Sequence, residues 1–376
     1  MKTLVIVGTR PEAIKMAPVI AELRKACDTY VCSTGQHREM LAQALGIFSI
    51  KPDISLDTMS PGRSLNILAS RQLEALDDVL QEYQPDWVLV QGDTTTAFCA
   101  GLAAFHRGIK VGHVEAGLRT GDLHSPFPEE ANRRLISKIA TLHFAPTSSA
   151  AKALMAEGIP ADRIHVTGNT VVDAVNTVFT SHCHAAPPAL LNHLPNLEQE
   201  AGSIVLVTCH RRENFGDVME NICHLLARLA GHYTAHTWVM PVHMNPGVRE
   251  PVERILGNIP NFKLLEPLDY ASNLYLISRA CLVVSDSGGI QEEAPTFGTP
   301  VVVMREHTER LEGVTAGFAT LAGQDPARIE DAVRHWLDKP QARELLLTRH
   351  NPYGDGQAAK RIVAALRKLP MDHFHG

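Results

Sequence analysis

Short apolar runs rich in Val, Ile and Leu recur along this chain, each followed by a longer stretch whose apolar positions return with helical spacing. In the first half the runs fall at 4–7, 29–33, 87–90, 110–113, 142–144 and 164–166. The helical stretches lie at 11–25, 37–45, 65–82, 95–106, 129–139 and 148–157. The runs are too short for helices and do not alternate with polar residues, so the strands they form are buried on both faces. Strand, helix and strand repeated in this way predict a parallel sheet covered by helices. After Gly168-Asn169-Thr170 and a short helix the texture changes. Residues 181–201 hold Pro187, Pro188 and Pro195 among scattered polar residues and read as a connection. The pattern then restarts, with strands at 204–208, 236–241, 263–265, 282–285, 301–304 and 318–321. Helices of this second half fall at 218–230, 248–256, 272–278, 290–297 and 328–338, and a last helix, 356–369, has no strand after it. The expected fold class is α/β: two parallel-sheet domains, 1–180 and 202–355, then a terminal segment 356–376. Open sheets of this kind take ligands at the carboxyl ends of their strands, which places the expected site in the cleft between the domains.

Composition narrows the function classes. A 45% hydrophobic content over 376 residues supports a large core, and a formal net charge of -6 with no long basic run argues against nucleic acid. No apolar run approaches the roughly 20 residues of a membrane span. The apolar stretch near Met1 is too short for a signal peptide, and Arg10 and Glu12 follow closely. Seven cysteines without a Cys-x-x-Cys pair read as reduced thiols, and a cytoplasmic location is expected. The 19 histidines include His182, His184, His373 and His375, but none belongs to a four-ligand zinc spacing, so no metal is expected.

The polar clusters follow the strand ends. Ser285-Asp286-Ser287-Gly288-Gly289 separates a strand from a helix, whose first amides, with little side-chain bulk near them, suit a phosphate or pyrophosphate. The same glycines also suit a tight turn alone. Glu292 and Glu293, one turn on, offer a carboxylate for ribose hydroxyls or form a solvated face. Gly8-Thr9-Arg10-Pro11-Glu12 follows the first strand, and Arg10 and Lys15 suit either a phosphate or a salt-bridged helix start. No Gly-x-Gly-x-x-Gly fingerprint occurs there. Asp93 follows a strand and fits an N-cap as well as a catalytic role. Glu115 directly follows another strand, a loop then leads to Glu129 and Glu130, and His210, Arg211 and Arg212 follow the first strand of the second domain.

Together these motifs resemble the non-hydrolysing bacterial UDP-N-acetylglucosamine 2-epimerases. The likeness rests on Gly8 to Lys15, Gly92 to Thr96, His113 to Asp122, His210 to Glu213, Asp286 to Pro295 and Asn351 to Gly356, in order over nearly the whole chain. It implies two Rossmann-like domains in the glycosyltransferase-B fold, with the last helix crossing back to the first domain. It also implies a cytoplasmic homodimer, without cofactor, that interconverts UDP-N-acetylglucosamine and UDP-N-acetylmannosamine for surface polysaccharide synthesis. The resemblance gives Asp93, Glu115, Glu129 and His210 as the catalytic set. It gives Arg10, Lys15, His210, Ser287, Gly288, Gly289, Glu293 and Arg310 to the substrate, with Lys15 supporting the carboxylates or the substrate. A second, activating substrate site would use Gln36, His37, Arg63, Arg211 and His243. The chain departs from the family at Asn273, where a Phe near the uracil is expected, and at Glu39, where some relatives carry Gln.

The implied route removes UDP from carbon 1 as the carbon-2 proton is lost, leaves 2-acetamidoglucal, and adds UDP back after protonation on the opposite face. Donors on the pyrophosphate and acid–base groups on both sides of the ring are its requirements. Three rivals share the motifs' general chemistry. A hydrolysing epimerase would release free N-acetylmannosamine and UDP, a glycosyltransferase of the same fold would transfer the sugar, and a non-enzymatic nucleotide-sugar sensor would not need Asp93 or Glu129.

Overall fold

The structure, a computed structural model, describes residues 1–35, 38–58, 64–200 and 202–376. Most apolar runs rich in β-branched residues become strands, and several helices begin where a hydroxyl accepts a free amide. Thr94 accepts from Ala97 N–H at 3.0 Å, Thr147 from Ala150 N–H at 3.2 Å and Ser64 from Ile67 N–H at 3.4 Å, each opening a helix. The first half runs β1 (Lys2–Val7), α1 (Arg10–Ala26), β2 (Asp28–Ser33), α2 (Arg38–Ile47), β3 (Ile54–Ser55), α3 (Leu65–Tyr83), β4 (Trp87–Gln91), α4 (Thr95–His106), β5 (Lys110–Val114), α5 (Glu129–Ile139), β6 (Leu142–Ala145), α6 (Ser148–Ala156), β7 (Ile164–Val166) and α7 (Thr170–His182). Its strands form one parallel sheet in the order β3-β2-β1-β4-β5-β6-β7.

The second half runs α8 (Pro188–Leu191), β8 (Ile204–Thr208), α9 (Asp217–His232), β9 (Thr237–Pro241), α10 (Pro246–Leu256), β10 (Phe262–Leu265), α11 (Tyr270–Arg279), β11 (Ala280–Ser285), α12 (Gly288–Glu293), β12 (Val301–Val303), α13 (Leu311–Thr315), β13 (Ala319–Leu321), α14 (Pro326–Asp338) and α15 (Pro340–Leu346). A second parallel sheet has the order β10-β9-β8-β11-β12-β13. The chain divides into two units, Met1–Thr177 with Tyr353–Gly376, and Val178–Pro352. In the first unit the last helix, α16 (Ala358–Leu366), packs on α1. Asp173 of α7 accepts the Ala358 and Ala359 amides at 3.2 and 2.9 Å, so one helix caps another.

Each unit has its own apolar core. Leu4, Ile6, Val88, Val90, Leu76 and Ala100 meet in the first, and Val205, Val207, Trp238, Leu226, Val284 and Val302 in the second. In both sheets the order reverses beside the first strand, between β1 and β4 and between β8 and β11. The turns leaving those strands therefore diverge, and a crevice opens at the carboxyl edge.

The sequence pattern misses β3, α8, α13 and α15. Two to seven residues are too few to show a period. The helix expected at 290–297 starts two residues earlier and changes to a 3-10 turn, Ala294–Phe297, because Pro295 has no amide to donate. The final helix is shorter than expected, 358–366, with Gly356 (φ 76°) before it and Lys368 (φ 54°) after it in the left-handed region. Residues 181–200 are also more than a connection. Cys183, Leu190 and Leu197 are buried, and Glu198 accepts hydrogen bonds from Tyr275 Oη and from Arg279 at 3.0 Å.

Candidate active site

At the carboxyl edge of the first sheet, the turns after β1 and β4 are fastened to each other. Glu12 is buried and accepts from Gly8 N–H (2.9 Å), Thr9 N–H (2.6 Å), Thr9 Oγ1 (2.9 Å) and Thr94 Oγ1 (2.6 Å). Burial pushes its carboxyl above the ordinary value, against the downward pull of those hydrogen bonds. Gly8 is required here, because a Cβ would lie 2.5 Å from Thr96 Oγ1. Arg10, half-buried, opens α1 beside this turn.

Glu115 follows β5 at φ 62°, a left-handed conformation that a side chain disfavours. Its Oε1 accepts from Lys15 Nζ and from Asn169 Nδ2 (3.1 Å), and its Oε2 from Gln91 Nε2. Lys15 thus pairs with a carboxylate within this unit, both side chains being more than nine-tenths buried. Asp93, on the neighbouring turn, places Oδ2 2.8 Å from Arg133 Nε and 2.7 Å from Arg133 Nη2. Asn132 Nδ2 donates to the Asp93 carbonyl at 2.8 Å. Thr94 caps α4, so the capping alternative for Asp93 is replaced by an ion pair. His113, buried on β5, lies with Nε2 2.8 Å from the Gly92 carbonyl, where Gly92 takes φ 72°. Burial lowers the His113 pKa to about 4, which leaves the ring neutral with an N–H to donate.

Glu129 begins α5, and its buried Oε2 has no hydrogen-bond partner. Its neighbour Glu130 is the structural one of the pair. Fully buried, it accepts from the Thr120 amide at 3.1 Å and from Arg133 and Arg134 at 3.4 and 3.2 Å. Three carboxylates thus stand in three different settings: one saturated, one paired with a guanidinium, one with an open oxygen.

In the second unit the buried carboxylate of Asp286 organises the turns after β8 and β11. Its Oδ2 accepts from His210 N–H (2.9 Å), Arg211 N–H (2.8 Å) and Asn214 Nδ2 (2.9 Å), and His210 Nδ1 lies 3.2 Å from Oδ1. Burial would raise this carboxyl, but the His210 imidazole and the two amides outweigh it and hold the pKa at about 2. The His210 side chain remains 42% exposed, fixed at one nitrogen and accessible elsewhere. Ser287, Gly288 and Gly289 lead into α12, and Arg310 lies over Gly288: a Cβ there would meet Arg310 Cζ at 2.8 Å. Arg310 is held by Glu292 Oε1 at 2.8 Å and Glu309 Oε1 at 3.0 Å. Of the two candidate ribose carboxylates, Glu292 is therefore engaged with Arg310, and Glu293 is the next residue on the same short helix.

Of the expected second-site residues, Gln36, His37 and Arg63 lie outside the described residues, as does the start of the helix expected from 37. The structure brings Arg211 and His243 to His210. Arg211 Nε donates to the Asp286 carbonyl at 2.9 Å, and the His243 ring stands 6.1 Å from that of His210. Asn273 sits half-buried in the first turn of α11. Sequence reasoning assigned no role to Glu12, Gln91, Asn169, Arg133 or Asp286. The available signal was a polar residue at or just beyond the end of an apolar run, as at Gln91 and Asp286. Among the described residues no group of three or more His, Cys, Asp or Glu is placed to hold a metal, and no helix is long and apolar enough to cross a membrane.

Two Rossmann-like parallel sheets, with carboxylates on one carboxyl edge and imidazole, guanidinium and amide donors on the other, define a two-unit α/β protein class. Comparison with known proteins narrows it. The family description "UDP-N-acetylglucosamine 2-epimerase" matches residues 21–367. The Salmonella typhimurium UDP-N-acetylglucosamine 2-epimerase is 50% identical over 98% of both chains. The crystal structure of the Neisseria meningitidis enzyme bound to UDP-GlcNAc superposes with a TM-score of 0.88 at 45% identity, covering 98% of this chain and 100% of that one. A UDP co-structure of S. aureus MnaA has a TM-score of 0.89 at 41% identity, covering 100% and 99%. The chain belongs to the UDP-N-acetylglucosamine 2-epimerase family.

Proposed function

We propose that this protein catalyses the reversible, non-hydrolysing interconversion of UDP-N-acetylglucosamine and UDP-N-acetylmannosamine. The observation that carries the reading is the unequal setting of Asp93, Glu115 and Glu129 at the first carboxyl edge, an acid–base set that mere nucleotide-sugar binding would not need. One carboxylate takes the carbon-2 proton. The carbon-1 to oxygen bond breaks with its electron pair on UDP, and a carbon-1 to carbon-2 double bond forms in 2-acetamidoglucal. A second group then protonates carbon 2 on the opposite face as a UDP oxygen bonds again to carbon 1.

The leaving diphosphate is assigned to Arg10, His210, Arg310 and the Ser287, Gly288 and Gly289 amides, with Glu293 on the ribose. Positive charge and N–H donors held in place stabilise charge as it develops. His210 suits this because Asp286 fixes its ring. The reading includes a cytoplasmic homodimer supplying surface polysaccharide synthesis, and a second substrate site at Gln36, His37, Arg63, Arg211 and His243. Proton NMR of the purified protein with UDP-N-acetylglucosamine alone tests it. The manno epimer should appear with UDP still attached. Free N-acetylmannosamine would make the protein a hydrolysing epimerase, and an unchanged spectrum would make it a sensor.

A further inference from the structure

Of the three carboxylates Glu115 is the most heavily tethered, and one tether comes from a residue to which the mechanism above gives no part. Building on that mechanism, we propose that Asn169 is a positioning residue that sets the angle of the Glu115 carboxylate for proton transfer. Asn169 follows β7 and is 3% exposed, and each of its polar groups has a defined partner. Its Oδ1 accepts from Val171 N–H at 3.0 Å, which fixes the amide orientation and leaves Nδ2 to donate to Glu115 Oε1 at 3.1 Å. Its own N–H donates to the Tyr353 carbonyl at 2.7 Å, so the residue is held by the C-terminal segment as well.

The sheet makes this a two-sided clamp. Gln91 ends β4 and reaches Oε2, whereas Asn169 arrives from beyond β7 and reaches Oε1; β5, which Glu115 directly follows, lies between β4 and β7 in the strand order. Lys15 supplies the opposing charge, and the two neutral amides from opposite sides define the carboxylate plane. The left-handed turn at φ 62° does not itself fix the side-chain angle; Lys15 and the two amides together do.

A bare helix-capping role for Asn169 would use only Oδ1, and this separates the two explanations. Asn169→Ser keeps a hydroxyl that can accept from the Val171 amide, as serine does at helix starts, but is too short to donate to Glu115 and adds no charge beside it. It should lower kcat roughly ten- to a hundredfold, the equivalent of one lost hydrogen bond to a charged group, with UDP affinity within about twofold of wild type. The decisive measurement is the double-mutant cycle. In a Glu115→Gln background, whose own kcat is reduced, Asn169→Ser should lower kcat by less than about a further twofold, because its effect passes through Glu115. Wild-type kcat in Asn169→Ser, or a full multiplicative loss on top of Glu115→Gln, overturns the positioning role while leaving Glu115 catalytic. Wild-type kcat in Glu115→Gln alone removes the mechanism underneath and this role with it.

Discussion

Gly288→Ala is a small change with a calculable consequence for the diphosphate grip. The new Cβ would stand 2.8 Å from Arg310 Cζ, 2.9 Å from Nη1 and 3.1 Å from Nη2, the first two closer than a Cβ can approach. The backbone tolerates alanine here, since Gly288 is not among the residues at positive φ, and alanine in a helix is favoured over glycine by up to roughly 1 kcal/mol. The guanidinium must therefore yield, leaving Glu292 at 2.8 Å and Glu309 at 3.0 Å. If Arg310 grips UDP, losing its placement removes a charge-assisted hydrogen bond worth about 1.5–3 kcal/mol, or roughly ten- to a hundredfold in affinity. Titration calorimetry with UDP reads the loss, and a thermal melt shows that the unit stays folded. Gly289→Ala is the comparison, because its Cβ meets nothing nearer than Glu293 Oε1 at 3.8 Å and leaves Arg310 undisturbed. Wild-type UDP affinity in Gly288→Ala, or equal losses in both variants, would refute the assignment to Arg310.

In deuterium oxide the product should carry deuterium at carbon 2, and Asp93→Asn and Glu129→Gln should each lose roughly 10²–10⁴-fold in kcat. Retention of hydrogen with near-normal rates would rule out proton transfer by these groups. If the second site exists, reaction from pure UDP-N-acetylmannosamine should lag until the gluco epimer is added, and full initial velocity without it would exclude the site. Burial, with nearby Asp355 adding to it, raises Asp173 from 3.8 to about 6 although the Ala358 and Ala359 amides pull it down, so its contribution to stability is present below the unfolded pKa and is lost as pH rises through about 6. Asp173→Asn should therefore gain on wild type by about 2 kcal/mol between pH 4 and pH 8 in denaturant titrations, and a gap that does not vary with pH would refute this.

The elements that sequence made legible are those that reveal themselves locally. Buried parallel strands need unbroken apolar runs, so β1, β4, β8 and β11 stand out, and with them the polar residues just past their ends: Arg10, Asp93, His210 and Ser287. Glu115 is legible for the same reason. What stayed hidden is the other half of each contact. Glu12 reaches Thr94 across 82 positions, Asp286 reaches Asn214 across 72, and Asp173 reaches Ala359 across 186. Glu115 shows the limit most clearly. Its charge partner, Lys15, stood inside a recognisable motif, but the amides that orient it come from Gln91, at the end of an apolar run, and from Asn169, which looked like an ordinary turn residue. A neutral amide carries no charge signature, and its donor acquires a purpose only when the sheet order brings β4 and β7 to either side of β5. Most of the residues proposed for the substrate sit just past strand ends, where periodicity breaks and can be read. The amides on Glu115 are set by topology, because one arrives at the end of β4 and the other from beyond β7, and only the sheet order brings both to the same carboxylate.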